Sequence, residues 1–471
     1  MAFAALSAAV VSIAFAATPW PHPVVFNAGD GVLSVSSKFA LQVTNPMGAH
    51  KHLHSTAQRY SDAIVTARGD GCNASSATGA AQLTECTVTV KDTSVPLASG
   101  VNEAYDLSVE ADGQCSISAD TVWGAFHGME SLAQLAAENC TISNAPVRIR
   151  DTPRFGFRGL MIDTARHYMP VKFIEHIIDG MAANRLNVLH WHIVDSSSFP
   201  YCSAMFPGLC EKGAYSPRAT FTADQLKSLV DFAESRGVRI MPEFDMPGHG
   251  DWEQGEPEIM VLDGPCDYTM DPTKDATYKF LAKFLKEVTT IFPDEYLFLG
   301  TPGYHGRQLL FSHISYLPAM YAIALEIHRV FVPAKPLNLS FRLRAGGDEV
   351  NPTCWSGSPS VAKWMKENNM NASGLGRHFW QQVTAQVLPG LNRTLGVWED
   401  DQPQPHPDDL PKNSFGNIWQ AQSTIKSAVD RQFNAVLSGP WYLDQQQPGG
   451  CNTYSLEGMW CVLRVEVAGA R

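Results

Sequence analysis

The chain has 471 residues, of which 45% are hydrophobic and 17% are charged, and it carries a formal net charge of −12. A chain of this length and composition is expected to fold into one large globular domain and a smaller one. Its acidic residues are not gathered into blocks, and the negative net charge disfavours nucleic acids and anionic membranes as partners. The composition therefore favours a globular protein whose ligand is neutral and polar.

The first residues, Met1 to Ala17, are small and apolar and end in Ala14-Phe15-Ala16-Ala17. A stretch of this length that closes on an Ala-x-Ala site is typical of a cleaved signal peptide. It lacks the usual positive charge near Met1, and a buried N-terminal helix is the alternative. No later stretch is long and apolar enough to predict a membrane span.

The cysteines and the sequons fit the same compartment. Ten cysteines without Cys-x-x-Cys spacing favour disulfides over zinc. Candidate glycosylation sites begin at Asn73, Asn139, Asn371 and Asn392. We therefore expect the secretory pathway, with an extracellular, vacuolar or lysosomal destination.

The segment from 18 to 150 has the pattern of a small α/β domain. Val32 to Ser36 and Cys86 to Val90 alternate between apolar and polar residues, as half-buried strands do. Thr121 to Glu138 then has the spacing of an amphipathic helix. Cys72 and Cys86 are candidates to close a small loop in this domain.

The segment from 151 to 471 changes to a strand–helix rhythm. Strands are predicted at 157–163, 186–195, 238–245, 296–300, 395–398, 414–419 and 434–438, and helices at 171–184, 223–236 and 277–290. Such repeats predict a (β/α)₈ TIM barrel or a doubly wound sheet. The strand ends carry residues suited to chemistry, namely Asp163, Asp195, Asp245, Asp348, Glu349, Trp398, Trp419 and Tyr442. A barrel would gather all of them at one mouth, so this pattern favours the barrel.

The most distinctive candidate for chemistry is Gly346-Gly347-Asp348-Glu349, just before Asn351-Pro352. Neighbours on a regular strand point to opposite faces, so both carboxyls can face one pocket only if the strand breaks there. Two solvated loop charges are the alternative interpretation. The acids and aromatics at the other strand ends favour a catalytic pair.

Five motifs in chain order resemble the family 20 glycoside hydrolases, which are β-N-acetylhexosaminidases. They are Phe157 to Tyr168, Asn187 to Asp195, Glu243 to His249, Gly347 to Val350 with Cys354-Trp355, and Pro440 to Leu443. The resemblance implies an exo-glycosidase that hydrolyses terminal β-linked N-acetyl-D-hexosamines of glycoconjugates or chitin fragments. It implies no cofactor, and a homodimer is an assembly open to such a protein.

The resemblance also implies substrate-assisted retaining catalysis, in which the 2-acetamido oxygen of the sugar is the nucleophile. Glu349 would be the general acid and base, and Asp348 would stay ionised to orient the acetamide. The implied substrate-binding residues are Arg166, Asp195, His249, Trp398, Trp419, Trp441, Tyr442 and Asp444. Cys266 and Cys354 resemble a family disulfide that would link the loops after the third and the catalytic strands.

A metal site is the alternative for one of these motifs. His190 and His192, two apart on a strand and followed by Asp195, have a spacing that can bind zinc. The family uses no metal, so we expect these histidines to pack and form hydrogen bonds inside the barrel.

Two features depart from the family pattern. Thr301 to Gly346 separates Tyr296-Leu-Phe-Leu-Gly300 from the carboxyl pair, either as an insertion or as an untranslated segment retained in the reading frame. Leu337 to Leu343 alternates with period two and could replace the fourth strand. After Asp444 the chain has no room for an eighth strand, so we expect a barrel that lacks it. An inactive sugar-binding relative, or a defective gene model of such an enzyme, is therefore the alternative function.

Overall fold

The computed structural model describes residues 18–44, 50–66, 72, 81–136, 140–265, 269–300, 352–398, 410–411, 413–418 and 434–438. The predicted signal peptide and the segment 301–346 lie outside this part of the chain. Within the described ranges, no helix has both the length and the apolar composition needed to cross a bilayer.

The first sheet comes from the N-terminal part of the chain. Its strands are β1 (Val25–Val43), β2 (Gln82–Asp92), β3 (Tyr105–Val109), β4 (Cys115–Thr121) and β5 (Thr141–Asp151). They are hydrogen-bonded in the closed order β1-β2-β4-β3-β5, and β5 pairs back onto β1. Two helices, α1 (Leu53–Thr66) and α2 (Val122–Ala136), pack against these strands and share their hydrophobic core. The predicted alternating strands and the predicted helix are confirmed here.

Two disulfides join parts of this region, and they correct the proposed pairing of Cys72 with Cys86. Cys72 is bonded to Cys140, and Cys86 is bonded to Cys115. The physical reason is strand pairing: β2 and β4 run side by side in parallel, which brings Cys86 next to Cys115. Cys72 is nearer to Cys86 in the sequence than Cys115 is, but strand pairing rather than sequence distance determines the partner of Cys86.

The second sheet has seven parallel strands in the described part of the chain. They are β6 (Gly159–Asp163), β7 (Val188–His192), β8 (Arg239–Glu243), β9 (Tyr296–Phe298), β10 (Thr394–Trp398), β11 (Phe415–Ile418) and β12 (Asn434–Leu437). Their order in the sheet is the same as their order in the chain. A doubly wound sheet reverses its strand order at a switch point, so this topology contradicts the doubly wound alternative.

The helices between these strands follow the predicted rhythm. They are α3 (Val171–Ala183), α4 (Gly208–Gly213), α5 (Ala223–Glu234), α6 (Asp275–Ile291), α7 (Pro352–Ser356), α8 (Pro359–Glu367) and α9 (Ala372–Gln382). The start of α5 is fixed by a capping box in which Thr222 and Gln225 satisfy each other's backbone N–H groups. The apolar faces of α3, α5 and α6 contribute to one core with strands β7 and β8.

The second sheet is strongly curled. The rings of Phe157, just before β6, and Phe415, on β11, have centroids only 5.8 Å apart. In a flat sheet five strand spacings would separate these positions by about 24 Å. Side chains from five strands meet inside the curl and form one apolar cluster, which comprises Val188, Met241, Phe298, Phe415 and Val436.

The fourth position of this sheet is held by β9, which pairs with β8 on one side and β10 on the other. Leu337 to Leu343, the suggested substitute for this strand, lies outside the described residues.

Candidate active site

The carboxyl ends of the parallel strands bring polar side chains together at one end of the second sheet. Asp163, His192 and Glu243 are the last residues of β6, β7 and β8, and Trp398 is the last residue of β10. This is the end at which barrel enzymes keep their active sites. The acids predicted at these strand ends are Asp163, Asp195 and Asp245. Asp163 and Asp195 both contact Arg166, and Asp245 lies 3.8 Å from His192.

Asp195, three residues beyond the end of β7, is the centre of a charged cluster. One of its carboxylate oxygens, Oδ2, lies 3.0 Å from His192 Nε2, 2.9 Å from His249 Nδ1 and 2.8 Å from a guanidinium nitrogen of Arg166. Burial alone would raise the pKa of Asp195, but the hydrogen bonds from the two histidines hold that pKa well below its usual value. Asp195 is therefore an anion, and it connects Arg166, His192 and His249.

Arg166 is held by two carboxylates. Besides Asp195, its Nη1 donates to Asp163 Oδ2 at 2.5 Å, and its backbone N–H donates to Asp163 Oδ1 at 2.9 Å. The side chain of Arg166 keeps 41% of its surface exposed. The guanidinium is thus fixed in place while part of it faces the mouth of the site, an arrangement suited to binding hydroxyl groups.

Glu243 is fully buried beneath this cluster. Trp398 Nε1 donates to Glu243 Oε1 at 2.6 Å, while Oε2 lies 2.8 Å from His190 Nε2 and 3.1 Å from His192 Nδ1. Burial disfavours the charged form of Glu243, but the positive charge of His192 and the contact with His190 hold its pKa well below the usual value. Conversely, burial would lower the pKa of His192, yet the neighbouring Glu243 and Asp195 raise it well above the usual value.

Asp245 behaves in the opposite way to Glu243. Burial, reinforced by the negative charge of Glu243, raises its pKa well above the usual value. Its Oδ1 lies against Gly300, where an added Cβ would come within 1.9 Å of that oxygen. The end of β9, after which the predicted catalytic segment follows, is therefore in contact with the acid cluster.

Two groups in this cluster have ligand atoms close enough to hold a metal ion. They are His192 with Glu243 and Asp245, and Asp195 with Asp245 and His249. The zinc alternative drawn from the sequence had combined His190 and His192 with Asp195. Among the described residues, His190 belongs to neither group, since its Nε2 faces Glu243.

The structure describes four of the predicted site residues: Arg166, Asp195, His249 and Trp398. The first three lie in one cluster, and Trp398 joins it through Glu243 and His192. The other predicted residues, Asp348, Glu349, Trp419, Trp441, Tyr442 and Asp444, lie outside the described residues.

Sequence reasoning assigned no role to Glu243, and it considered His192 only as a possible zinc ligand or as a histidine packed and hydrogen-bonded inside the barrel. Both sit at strand ends within recognised motifs, so position was an available signal. Their contacts with several site residues come from other strands, so the local sequence around Glu243 and His192 does not reveal them.

The chain returns after the undescribed segment beside the loop that carries His249. Trp355 of α7 donates from Nε1 to the Met270 carbonyl at 3.3 Å, and the Met270 N–H donates to the Pro247 carbonyl at 2.8 Å. Cys354, also in α7, is disulfide-bonded. Its expected partner, Cys266, lies outside the described residues.

Comparison with known proteins places this arrangement in a family. The family model described as glycosyl hydrolase family 20, catalytic domain, matches residues 155–308 and 315–463. A second model, described as beta-acetyl hexosaminidase like, matches residues 19–135. The chain belongs to glycosyl hydrolase family 20.

Its relatives include beta-hexosaminidase subunit alpha of Rattus norvegicus, with 32% identity over 371 residues, or 74% of this chain and 60% of the rat protein. Beta-hexosaminidase 1 of Arabidopsis thaliana is 31% identical over 444 residues, or 90% of this chain and 73% of the plant protein. The chain thus spans well under the full length of these relatives.

Among solved structures, the chitobiase of Flavobacterium johnsoniae has the same fold with a TM-score of 0.69 and 23% identity, covering 92% of this chain and 60% of the chitobiase. An exo-β-N-acetylglucosaminidase from Vibrio harveyi, solved with N-acetylglucosamine, matches with a TM-score of 0.64 and 20% identity. The match covers 89% of this chain and 60% of the Vibrio chain.

Proposed function

We propose that the protein hydrolyses terminal, non-reducing β-linked N-acetyl-D-hexosamine residues of glycoconjugates or chitin fragments. The observation that carries the proposal is the cluster of Arg166, Asp195 and His249 at the strand ends of a family 20 chain. The rat and plant relatives are named beta-hexosaminidases, which supports the same substrate class.

The proposed scaffold is a (β/α)₈ TIM barrel spanning 151–471, preceded by an α/β domain spanning 18–150. The sequential parallel strands and the approach of Phe157 to Phe415 support a sheet that curls toward closure.

The proposed catalytic pair is Asp348 and Glu349. The contact between Gly300 and Asp245 on one side of the segment, and that between Trp355 and Met270 on the other, support its proximity to the cluster. Glu349 is three residues before Pro352, a span of at most about 11 Å of extended chain. This short span supports the proposal that both carboxyls lie near the strand ends.

In the proposed mechanism the acetamido oxygen of the substrate forms a bond to the anomeric carbon while the glycosidic C–O bond breaks. Glu349 gives its proton to the departing oxygen, then takes a proton from the water that opens the oxazolinium ring. Asp348 stabilises the positive charge on the acetamide nitrogen. Two displacements at one carbon retain its configuration.

The remaining residues would bind the sugar. Arg166, held by Asp163 and Asp195, would donate to two hydroxyls, and Asp195 with His249 would orient the catalytic pair. Trp398, Trp419 and Trp441 would surround the acetamido methyl and the sugar face. Tyr442 would donate to the acetamide oxygen, and Asp444 would accept from a hydroxyl.

The rival proposal is an inactive sugar-binding relative. The separation of Gly300 from Asp348 by Thr301 to Gly346, next to the cluster, is the observation that favours it. A defective gene model would explain the same separation without a change of function.

The deciding experiment uses chromogenic β-N-acetylglucosaminide and β-N-acetylgalactosaminide with the full chain and with a variant lacking residues 301–346. We expect turnover, and in Glu349→Gln a loss of at least about 10²–10⁴-fold. In the full chain, Glu326→Gln, a carboxyl change inside the intervening segment, is the matched control and should have no effect. Sugar binding without turnover in both chains would establish the rival.

Substrate assistance has its own test. A thiazoline mimic of the oxazolinium should bind at least about 10²-fold more tightly than N-acetylglucosamine, and Asp348→Asn should weaken that preference. A covalent glycosyl-enzyme adduct with a 2-fluoro sugar, without tight thiazoline binding, would contradict the mechanism.

The assembly and the compartment are proposals of the same rank. The word "subunit" in the names of the mammalian relatives supports an oligomer, and we propose a homodimer.

The three disulfides between described cysteines support a route through the secretory pathway, ending outside the cell or in a lysosome or vacuole.

A further inference from the structure

Glu243 and His192 are buried and not used by the proposed mechanism. We propose that they form a brace beneath the sugar pocket, which fixes Trp398 on one side and, through Asp195, Arg166 on the other. Neither residue of the brace reaches the reacting atoms, so both are positioning residues. The roles of Trp398 and Arg166 in this inference rest on the proposed function.

The first step concerns the position of His192. Its buried ring lies between two carboxylates, with Nε2 3.0 Å from Asp195 Oδ2 and Nδ1 3.1 Å from Glu243 Oε2. The Asp195 contact is a hydrogen bond, whereas the Glu243 contact is close but not aligned as one. His192 therefore sets the spacing between the two carboxylates.

Other titratable groups pack around the brace. Asp245 Oδ2 lies 3.8 Å from His192 Nδ1. His190 Nε2 lies 2.8 Å from Glu243 Oε2, and His249 Nδ1 lies 2.9 Å from Asp195 Oδ2. The brace therefore consists of His192 between Glu243 and Asp195, with a second histidine against each carboxylate.

The second step concerns Trp398. Its indole N–H donates to Glu243 Oε1 at 2.6 Å, and hydrogen bonds to charged acceptors are stronger than neutral ones. The indole also stacks on His190 with an interplanar angle of 28° and meets Phe298 edge-on. His190 contacts the same carboxylate. Glu243 therefore fixes both the Trp398 indole and the His190 ring on which that indole stacks.

The third step joins the two sides of the pocket. Contacts run without a gap from Trp398 through Glu243, His192 and Asp195 to Arg166. They link residues at or just after the ends of β10, β8, β7 and β6. A change in the brace should therefore affect the acetamido wall and the hydroxyl-binding cation together.

The first experiment reads the brace by NMR on the full chain labelled with ¹⁵N at the tryptophan indoles. The Trp398 indole N–H, assigned with Trp398→Phe, should be shifted downfield and exchange slowly, because it donates to the buried Glu243 carboxylate.

Glu243→Gln should move the Trp398 signal upfield and speed its exchange. The control is Glu287→Gln, which alters a carboxylate that accepts from Ser203 and should leave that signal unchanged. A Trp398 signal indifferent to Glu243→Gln would overturn the proposal.

The second experiment is kinetic, with a chromogenic N-acetylglucosaminide. Glu243→Gln and Trp398→Phe should each lower kcat/KM by about 10- to 100-fold, the equivalent of one hydrogen bond to a charged group. The double variant should be no worse than the poorer single variant, because both changes break one contact.

Fully additive losses would overturn the coupling between Glu243 and Trp398. If the wild-type chain turns over no N-acetylhexosaminide, the proposed function fails instead, and the NMR result still decides whether the brace exists.

Discussion

The guanidinium of Arg166 lies 2.8 Å from the carboxylate of Asp195, and this contact ties the exposed cation at the mouth of the site to a buried anion. Arg166 follows the first strand of the second sheet, and Asp195 follows the strand beside it. The position of the cation therefore depends on the charge of a residue that solvent hardly reaches.

Asp195→Asn should accordingly lower kcat/KM on an N-acetylhexosaminide by about 10- to 100-fold, since it removes a charge-assisted contact from Arg166. Asp179→Asn, which breaks an exposed pair with Arg236 on the outer surface, is the matched control and should be silent. Equal activity of wild type and Asp195→Asn would contradict the role of the contact.

The pH dependence of this effect follows from the lowered pKa of Asp195. A depressed carboxyl pKa means that the anion persists below the usual value of about 3.9, and its contribution is lost only as pH falls further. The ratio of wild-type to Asp195→Asn activity should stay constant between about pH 5 and 7. If the ratio of wild-type to Asp195→Asn activity decreases as the pH is lowered from about 7 to 5, Asp195 is not the anion described.

Gly300→Ala should destabilise the protein for two reasons, the backbone conformation of Gly300 and its close approach to Asp245. Gly300 has a φ of +61°, and an added Cβ would lie 1.9 Å from Asp245 Oδ1. We expect a loss of at least about 2 kcal/mol in the free energy of unfolding, measured by urea titration. Gly180→Ala on the exposed face of α3, where nothing lies within 4 Å, should instead stabilise by about 0.5–1 kcal/mol. An unchanged unfolding midpoint for Gly300→Ala would refute the described contact.

Glu103→Gln should weaken the junction between the first sheet and the start of β6. Glu103 Oε1 lies 2.6 Å from Arg158 Nη2 and 2.9 Å from His127 Nε2, and all three side chains are largely buried. Burial would raise the pKa of Glu103, but these partners lower it to about 2. Loss of one partner of a buried pair should cost about 3 kcal/mol.

The sign of its pH dependence is fixed by that lowered pKa. The stability supplied by Glu103 is complete above the unfolded pKa of about 4.3 and is lost as pH falls toward 2. The difference between wild type and Glu103→Gln should therefore be large at pH 6 and smaller at pH 3. Glu110→Gln, in an exposed pair with Arg148, should change nothing measurable at either pH. A difference that grows on acidification would reject this assignment.

Cys354 should be bonded to Cys266, which would staple α7 to the loop after β8. Cys354 is disulfide-bonded, and each of the other six described cysteines is bonded to another described one. Proteolysis without reduction, followed by mass spectrometry, should give a linked peptide pair containing both residues. A Cys266 peptide that is free, or linked to Cys451 or Cys461, would exclude this pairing.

The sequence by itself determined the local elements and the family. Alternating patterns predicted parts of β1 and β2, the strand–helix rhythm predicted the strands of the second sheet, and helical spacing predicted α3, α5 and α6 within a few residues of their bounds. These features depend on neighbours in the chain, so periodicity can reveal them. The same holds for the motifs around Arg166, Asp195 and His249, because each is a short contiguous segment.

Only the tertiary structure decided how distant segments meet. Cys86 pairs with Cys115 rather than Cys72 because β2 and β4 lie side by side, and the sequential strand order excludes a doubly wound sheet. Glu243 gains its significance from His192 and Trp398, which come from two other strands. The charge of a buried group is set by whichever groups the fold places around it, and no local pattern records them.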